Sequence, residues 1–518
     1  MIIDTICATA DSIRITVTDC VCREIRIRAF VPLINGKSTE KHRGRCVYDR
    51  LALTDSAGNA EIPANNGYEL FICRFEVSLG GEIIDGVKYV DRLGPDFSRN
   101  NAPYPRPERP LGTWCIAEEE DIEYMRMGMM MDELDEVWLF SPAPGPDDIV
   151  HVWNGREYRF DNGMYKLHEK FLTGLAAKGI LTLFRFINRR DYQLKRADKA
   201  FFDVLRHPDY EDGREGVEMS GFNMRTEEGI DYYCACLDFL YSRFGDICPV
   251  TDIGNEVNSA GIWSNSGQMT CAEFMEEYAV ALRLAWLIAA RYRSAHRVDI
   301  SLEMNFTRPF VSDPMRFYPA RECLYRLADI CRRDGDFYWG VSAHPYPEDL
   351  SRPDFYNDKA PVFSVDTPII TMKNLEVWEA VLSLPRLRYN GVSRRVIFDE
   401  QGFNTRTGEP ETELQGAYAF VLAYLKIKKS HVIDAFLINR DTDLDDGAEY
   451  GLHLGLRYFG GYKDAEHILP APGRRKFICD AIAAMGTEKE AEWTARAREY
   501  IGPELFDRLL DPPAVEGA

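Results

Sequence analysis

The amino-acid sequence predicts an α/β protein, a (β/α)8 barrel preceded by a small β-sandwich-like domain. From about residue 112, short and nearly continuously apolar strands alternate with helices, the pattern of a parallel sheet that is buried on both faces. Eight such strands can be counted, which is the number that closes a barrel. An open doubly wound sheet is the alternative, but no GxGxxG motif follows the first strand.

Residues 1–100 are predicted to form the β-sandwich-like accessory domain. The segments SIRITV and REIRIRAFV alternate apolar and polar side chains, the period of half-buried strands. Turn residues in TDSAGNAEI separate them from a further strand, LFICRFEVSL, and no helical period occurs before about residue 115. Residues 101–111, in a stretch rich in Pro, Asn and Arg, are predicted to form a linker. We expect this domain to brace the barrel, with glycan binding as the alternative.

Residues 112–470 are predicted to form the barrel, and residues 471–518 a C-terminal helical extension. The methionine run at 127–131 is interpreted as core packing of a helix that leads into the first strand, and a hairpin, HVWNGREYRFDNG, follows it. Gly179 stands where a C-cap glycine is expected for the helix through KFLTGLAAKG. The later strands are interpreted as ILTLFRFIN, VEMSGFNM, VTDIGNEVN, VDISLEMNF, YWGVSAHPY, RRVIFDEQGF and VIDAFLINR.

The formal net charge is −21, so the chain lacks the basic footprint of nonspecific nucleic-acid binding, and binding to anionic membranes is disfavoured. No segment approaches the roughly 18 apolar residues of a membrane span, and the N-terminus lacks the pattern of a signal peptide. The thirteen cysteines contain no CxxC pair, which favours reduced thiols and a cytoplasmic location. Secretion after removal of a natural signal stays open as an alternative.

Two glutamates stand at predicted strand ends, where barrel active sites lie. The fourth strand ends in GNEVN, with Asn255 and Glu256, and the seventh ends in FDEQGFN, with Glu400. Hydrolysis of a glycosidic bond needs one protonated acid for the leaving oxygen and one carboxylate for the anomeric carbon. The competing interpretation is that each carboxylate pairs with an arginine or caps the next helix.

Other hydrolytic chemistries have little support in the sequence. The histidines His151, His344, His431 and His453 lack metal-ligand spacing such as HExxH, and no cysteine joins them. The GxSxG motif of a serine nucleophile is absent. We therefore expect neither a metal nor another cofactor.

The motifs GNEVN, HPYPEDL and FDEQGFNT resemble those of clan A of the glycoside hydrolases, and more narrowly those of a bacterial family of unknown function expected to join that clan. The resemblance covers about residues 112–470. It implies that Glu256 is the general acid/base, that Glu400 is the nucleophile and that Asn255 binds the sugar 2-hydroxyl. It also implies that His344 or Tyr346 orients Glu400. Many members carry a tryptophan after strand eight, where this chain has INRD.

Several further residues at strand ends are candidates for binding the substrate. Arg189 and Arg190 are expected to place a cation beside Glu400, and Arg308 and Arg440 could complete a pocket for a carboxylated or sulfated sugar. Neutralisation of nearby acidic residues is the alternative. A sugar ring could stack on Trp263, which could equally pack its own loop. The pocket is also expected to include two asparagines, Asn305 and Asn439.

The sequence as a whole predicts a retaining glycoside hydrolase that cleaves an oligo- or polysaccharide by double displacement. Glu256 must then hold a proton near neutrality while Glu400 stays ionised. Two alternatives are a carbohydrate-binding barrel that has lost catalysis, and transglycosylation or phosphorolysis on the same fold.

Overall fold

The computed structural model describes residues 1–38, 44–114, 119–141, 145–189, 199–406, 409–445, 451–462 and 470–518. Its N-terminal part consists of two four-stranded sheets whose apolar faces pack together, which confirms the predicted sandwich. Alternation explains the packing, since Ile13, Ile15 and Val17 face the core while their neighbours face outward. The first sheet contains Ile2–Ala8, Ser12–Thr18, Asn59–Pro63 and Arg92–Leu93. The second contains Glu24–Phe30, Cys46–Leu53, Arg74–Leu79 and Glu82–Ile84.

Eight parallel strands form a closed barrel, as the sequence predicts. Each pairs with the next strand in the chain, and the eighth closes onto the first. In chain order they are Leu111–Trp114, Met129–Asp135, Leu181–Ile187, Val250–Ile253, Arg297–Glu303, Trp339–His344, Val396–Gln401 and Ile433–Ile438.

One predicted strand is wrong and one observed strand is missing from the prediction, so the two errors cancel in the count of eight. The segment VEMSGFNM makes only isolated bridges and belongs to the loop after the third barrel strand. The strand that the prediction omits is Leu111–Trp114, four residues directly after the proline-rich stretch, too short to show a period. ILTLFRFIN is consequently the third strand rather than the second. The fourth and seventh strands keep their predicted places.

The methionine run is part of a strand, not of a helix. Met129 and Met131 point into the barrel and pack against Leu183, Val250 and Ile397, whereas Met130 joins the core outside it. Three methionines in succession hide the alternation of a strand, because both faces are apolar.

Helices cover the outside of the barrel, and the predicted ones other than that of the methionine run are present. Gly179 follows the first long helix with a φ of +74°, the left-handed conformation of a C-cap glycine. The barrel helices are Glu119–Met125, Glu136–Leu139, Asn162–Ala177, Lys199–Leu205, Glu227–Phe244, Cys271–Tyr292, Ala320–Asp334, Glu376–Leu382 and Pro410–Lys429. There are also two hairpins, Ile149–Trp153 with Arg156–Phe160 and Arg457–Tyr462 with Pro470–Arg475. The C-terminal helices are Phe477–Ala484, Glu490–Ile501 and Pro503–Leu510.

The N-terminal sandwich packs directly on the barrel helices. Lys88 forms an ion pair of 2.9 Å with Asp334, and the backbone carbonyl of Asp334 accepts hydrogen bonds from Lys88 and Tyr89. A second ion pair joins Arg291 to Glu69 at 2.9 Å. Within the described ranges no helix is long and apolar enough to cross a membrane, and every described cysteine is a free thiol.

Candidate active site

The turn after the fourth barrel strand gives Glu256 an unusual backbone conformation. Gly254 has a φ of +84°, and Glu256 itself is left-handed, with φ of 37° and ψ of 51°. A non-glycine residue in this region costs on the order of 1–3 kcal/mol and persists where its surroundings hold it. One such contact is the hydrogen bond of 3.1 Å from the Glu256 N–H to Oγ of Ser301, on the fifth strand. The Glu256 side chain is 14% exposed.

Glu400, on the seventh strand, accepts a hydrogen bond at each carboxylate oxygen. Nη1 of Arg185 lies 2.5 Å from Oε2, and the hydroxyl of Tyr346 donates to Oε1 at 3.0 Å. Burial alone would raise the pKa of Glu400, but the positive charges of His344 and Arg185 outweigh it, so the pKa lies below its usual value. Glu400 is therefore an ionised carboxylate that is held at both oxygens.

His344 ends the sixth strand and connects the two glutamates. Its Nδ1 lies 2.7 Å from Oε1 of Glu256 and 3.9 Å from Oε2 of Glu400. Burial lowers the pKa of His344, but the negative charges of Glu400 and Asp399 raise it well above its usual value. Nη2 of Arg185 lies 3.3 Å from Nε2 of His344, and both groups approach Asp399. Because a charged imidazole and a guanidinium are both donors, we interpret their contact as shared binding of Asp399 and not as a hydrogen bond.

The two glutamates are close neighbours across the barrel mouth. One oxygen of Glu256, one oxygen of Glu400 and a ring nitrogen of His344 lie within 4.8 Å of one another. Such a trio is also within reach of a common metal ion. Arg185 and Tyr346 already donate to both Glu400 oxygens, however, and a guanidinium in this place repels a second cation. The donor set fits an acid/base and nucleophile pair better than it fits a metal.

A second carboxyl pair lies deeper in the barrel. Asp252 and Asp399 are both fully buried, and their charges act on each other. Burial and the negative charge of Asp399 raise the pKa of Asp252, whereas His344 and Arg185 overcome burial and lower the pKa of Asp399. The opposite shifts favour a proton on Asp252 over one on Asp399, and Asp399 supplies the negative charge beside Arg185 and His344.

Asn255 lies beside Glu256, as the GNEVN motif requires. Its side chain is 3% exposed, and its Oδ1 has no hydrogen-bond partner among the described residues. A buried carbonyl oxygen without a donor is costly unless a ligand or water supplies one. The role of Asn255 as a substrate contact stays a prediction.

The cation that contacts Glu400 is Arg185, and not Arg189 as the sequence predicts. Arg189 follows the third strand and forms an ion pair with Glu133, at the end of the second. Arg190 lies outside the described residues. A signal for Arg185 was available, since it is the single charge inside LTLFRFI, and a charge within an apolar barrel strand must have partners.

The residues after the fifth strand act mainly on each other. Asn305 is buried and donates from both its backbone N–H and its side-chain amide to Glu303, each at 2.7 Å. Arg308 is exposed, and its Nε lies 3.4 Å from Oδ1 of Asn305. Glu303, which the sequence interpretation missed, is thus the acceptor at the centre of this strand end.

The end of the eighth strand faces the end of the first. The guanidinium of Arg440 lies 5.8 Å from the ring centroid of Trp114, and its charge acts on the pKa of Tyr346, which burial and the nearby carboxylates raise. Asn439 is buried directly before it. The sequence interpretation missed Trp114 together with its strand. Trp263 is half-buried at the end of the short helix Ala260–Trp263, and its role stays a prediction.

Comparisons with known proteins give a family and several structural likenesses. The sequence model of a family of unknown function (DUF5722) matches residues 116–509. No curated protein matches the chain. Among solved structures, the chain is similar to a family 39 glycoside hydrolase from Bacteroides cellulosilyticus WH2, with 14% identity over 93% of this chain and 81% of that chain, at a TM-score of 0.43.

Two further likenesses are to β-glucosidases. One is a family 1 enzyme from Thermotoga maritima, with 11% identity over 74% of this chain and 85% of that chain, at a TM-score of 0.42. The other is a hyperthermophilic enzyme from Pyrococcus furiosus, with 12% identity over 79% and 99% of the chains, at a TM-score of 0.40. Both kinds of relative that the motifs predict, glycosidase barrels and a family of unknown function, are thus found. Identities and scores this low carry no argument about activity.

Proposed function

For this chain, which belongs to the family of unknown function DUF5722, we propose from the geometry of the site that it is a retaining glycoside hydrolase. The observation that carries the proposal is the close approach of Glu256 and Glu400, with one oxygen of each within 4.8 Å. Retaining enzymes hold their carboxyl groups about 5–5.5 Å apart, whereas inverting enzymes need about 6.5–9.5 Å to admit a water. A nearest-oxygen approach within 4.8 Å is compatible with the shorter, retaining separation, and this supports attack by a carboxylate on the sugar.

In the first step, Glu400 attacks the anomeric carbon and Glu256 gives a proton to the departing glycosidic oxygen. Arg185 and Tyr346 fix both oxygens of Glu400, so the attacking carboxylate keeps one orientation. The positive charges of Arg185 and His344 keep Glu400 ionised, which nucleophilic attack requires.

In the second step, Glu256 takes a proton from water, and the hydroxide attacks the glycosyl–Glu400 ester. His344 Nδ1, 2.7 Å from Glu256, orients the carboxyl group that must act first as an acid and then as a base. The Asn255 carbonyl oxygen, buried and without a described partner, is placed beside this group to accept a sugar hydroxyl. Both steps together retain the anomeric configuration.

A carbohydrate-binding barrel without turnover is the second candidate. The observation that favours it is the contact between Glu256 and His344, because a charged imidazole stands where the general acid needs its own proton. Ligand binding without product across a broad panel of glycosides would support this candidate. Addition of acceptor alcohols or of phosphate to the same panel would distinguish transglycosylation and phosphorolysis from hydrolysis.

The test is a panel of aryl glycosides, including uronides, followed by proton NMR of the first-formed sugar. We expect turnover of at least one glycoside with retained configuration. Glu256→Gln and Glu400→Gln should lose activity by orders of magnitude, whereas Glu82→Gln, an exposed position in the sandwich, should not. Inverted configuration in the first-formed product would contradict the mechanism.

A further inference from the structure

A third carboxyl group, Glu303, lies at the end of the fifth barrel strand and is 7% exposed. Side chains two residues apart on a strand face the same side, so Glu303 faces the same way as Ser301, which binds the Glu256 N–H. The proposed chemistry uses Glu256 and Glu400 and leaves Glu303 without a role. A buried acid within electrostatic reach of the acid/base needs an explanation.

Glu303 is tied to the segment that carries Glu256. Its Oε1 accepts a hydrogen bond of 2.7 Å from Nδ2 of Asn258, and its own N–H donates to Oδ1 of Asn258 at 3.0 Å. Asn258 comes two residues after Glu256, in the 3-10 turn Val257–Ser259. The reciprocal pair therefore fastens the Glu256 turn to the fifth strand at two points.

The second oxygen of Glu303 is held as firmly as the first. Oε2 accepts from the backbone N–H and from the side-chain amide of Asn305, both at 2.7 Å. The carboxylate thus has three N–H donors, one from Asn258 and two from Asn305. The two donors of Asn305 hold Glu303 in the orientation in which it binds Asn258.

The charge of Glu303 is coupled to that of Glu256. Burial and the negative charge of Glu256 raise the pKa of Glu303 to about 7, against the lowering effect of the three N–H donors. The charge of Glu256 consequently acts on Glu303 across the turn, in addition to the hydrogen bonds that join their segments.

We propose that Glu303 is a positioning residue for Glu256, which it holds in the left-handed turn by its hydrogen bonds to Asn258. The inference rests on the proposed function, because a residue that positions Glu256 matters for catalysis only if Glu256 is the acid/base. A left-handed glutamate persists only where the surrounding contacts enforce it, and Ser301 and the Asn258–Glu303 pair are those contacts. Loss of Glu303 leaves Glu400 and its partners untouched.

The test compares two leaving groups in the Glu303→Gln variant. The side-chain NH2 group of the glutamine would face at least one of the three N–H donors. Alkyl glycosides need a proton from Glu256 for departure, whereas 2,4-dinitrophenyl glycosides do not. General acid catalysis contributes on the order of 10²–10⁴-fold, so a displaced acid should cost alkyl glycosides about 100-fold in kcat/KM. We expect less than about threefold for the dinitrophenyl glycosides, because kcat/KM for these reports attack by Glu400 alone.

Two further variants separate the proposed role of Glu303 from a general effect of the substitution. Asn258→Ala removes the link from the other side and should reproduce the same selective loss if Glu303 acts through it. Glu413→Gln is the matched control, since Glu413 is also buried and bound, but it lies on the helix Pro410–Lys429 and its partners, Tyr458 and Arg474, belong to the second hairpin. Thermal unfolding should show a folded protein for all three.

The possible outcomes are distinct. Equal losses on both leaving groups in Glu303→Gln would mean a structural role only, and unchanged kcat/KM on both would also overturn the inference. Absence of wild-type turnover on every glycoside would instead overturn the proposed function, and the role of Glu303 with it. A selective loss in Glu303→Gln and Asn258→Ala, with none in Glu413→Gln, supports the inference.

Discussion

Nδ1 of His344 lies 2.7 Å from Oε1 of Glu256, and the same nitrogen lies 3.9 Å from Oε2 of Glu400. One imidazole thus stands between the two carboxyl groups that the proposed mechanism uses. Its Nε2 faces Asp399 at 3.4 Å, so the ring has a carboxylate on either side and its orientation is fixed. This arrangement makes the protonation state of the site depend on His344.

Replacement of His344 by Gln should move the acidic limb of the pH profile. His344 and Arg185 hold the pKa of Glu400 below its usual value, and the nucleophile must be ionised. Loss of the imidazolium should raise that pKa, so activity on activated aryl glycosides should disappear at a higher pH as the solution is acidified. The measurement is kcat/KM against pH. An acidic limb at the wild-type position would show that His344 does not set the charge of Glu400.

Replacement of Arg185 by Met should damage both activity and stability. The guanidinium is 3% exposed and binds Asp399 and Glu400, so its removal takes the nearest cation away from two buried carboxylates. Breaking a buried ion pair in this way costs about 3–5 kcal/mol. Urea unfolding should show that loss, and kcat/KM should fall at least about 100-fold. As control, Arg26→Met removes an exposed ion pair in the sandwich and should leave the free energy of unfolding almost unchanged. A stable, active Arg185→Met protein would refute the assigned electrostatics.

Acid should destabilise the fold through His296, at the opposite end of the barrel from the site. His296 precedes the fifth strand and is buried against Thr251, with Nε2 and Oγ1 2.9 Å apart. Burial, together with the positive charges of Arg293 and Arg297, lowers the pKa of His296 to about 3.

Because the folded pKa lies below the unfolded value near 6.5, the contribution to stability is complete above about pH 6.5. It declines by about 1.4 kcal/mol per pH unit as the pH falls toward 3. Replacement by Asn should flatten this part of the free energy of unfolding against pH. A slope that is unchanged in His296→Asn would assign the acid sensitivity to other groups.

The sequence predicts the grouping of Glu256, His344 and Glu400 better than it predicts the strands. Polar residues at the ends of apolar strands have few structural explanations, and for this reason the sequence singles out Glu256, Asn255, Glu400 and the HPY segment. The sequence does not reveal the strand Leu111–Trp114 or the methionine strand, because a four-residue strand and a run of identical apolar residues carry no period.

The contacts that tune the site are the part that the sequence conceals. Arg185 contacts Glu400 although 215 positions separate them. The choice between Arg185 and Arg189 depends on where the strand Leu181–Ile187 ends, because Arg185 lies inside it and Arg189 follows it. Asn258 and Asn305 bracket Glu303 only after the fourth and fifth strands are side by side. Such pairings follow from register, which one sequence without the fold does not specify.

The most direct test of the account is to trap the covalent intermediate on Glu400. A 2-deoxy-2-fluoro derivative of the glycoside that the panel shows to be turned over, with dinitrophenolate or fluoride as leaving group, slows both steps but slows hydrolysis of the intermediate more. Peptide mass spectrometry should then find one fluoroglycosyl group, on Glu400 rather than on the adjacent Asp399, and none in Glu400→Gln. A label on any other residue, or turnover of the parent glycoside by an enzyme that never becomes labelled, would contradict the assignment of Glu400 as the nucleophile.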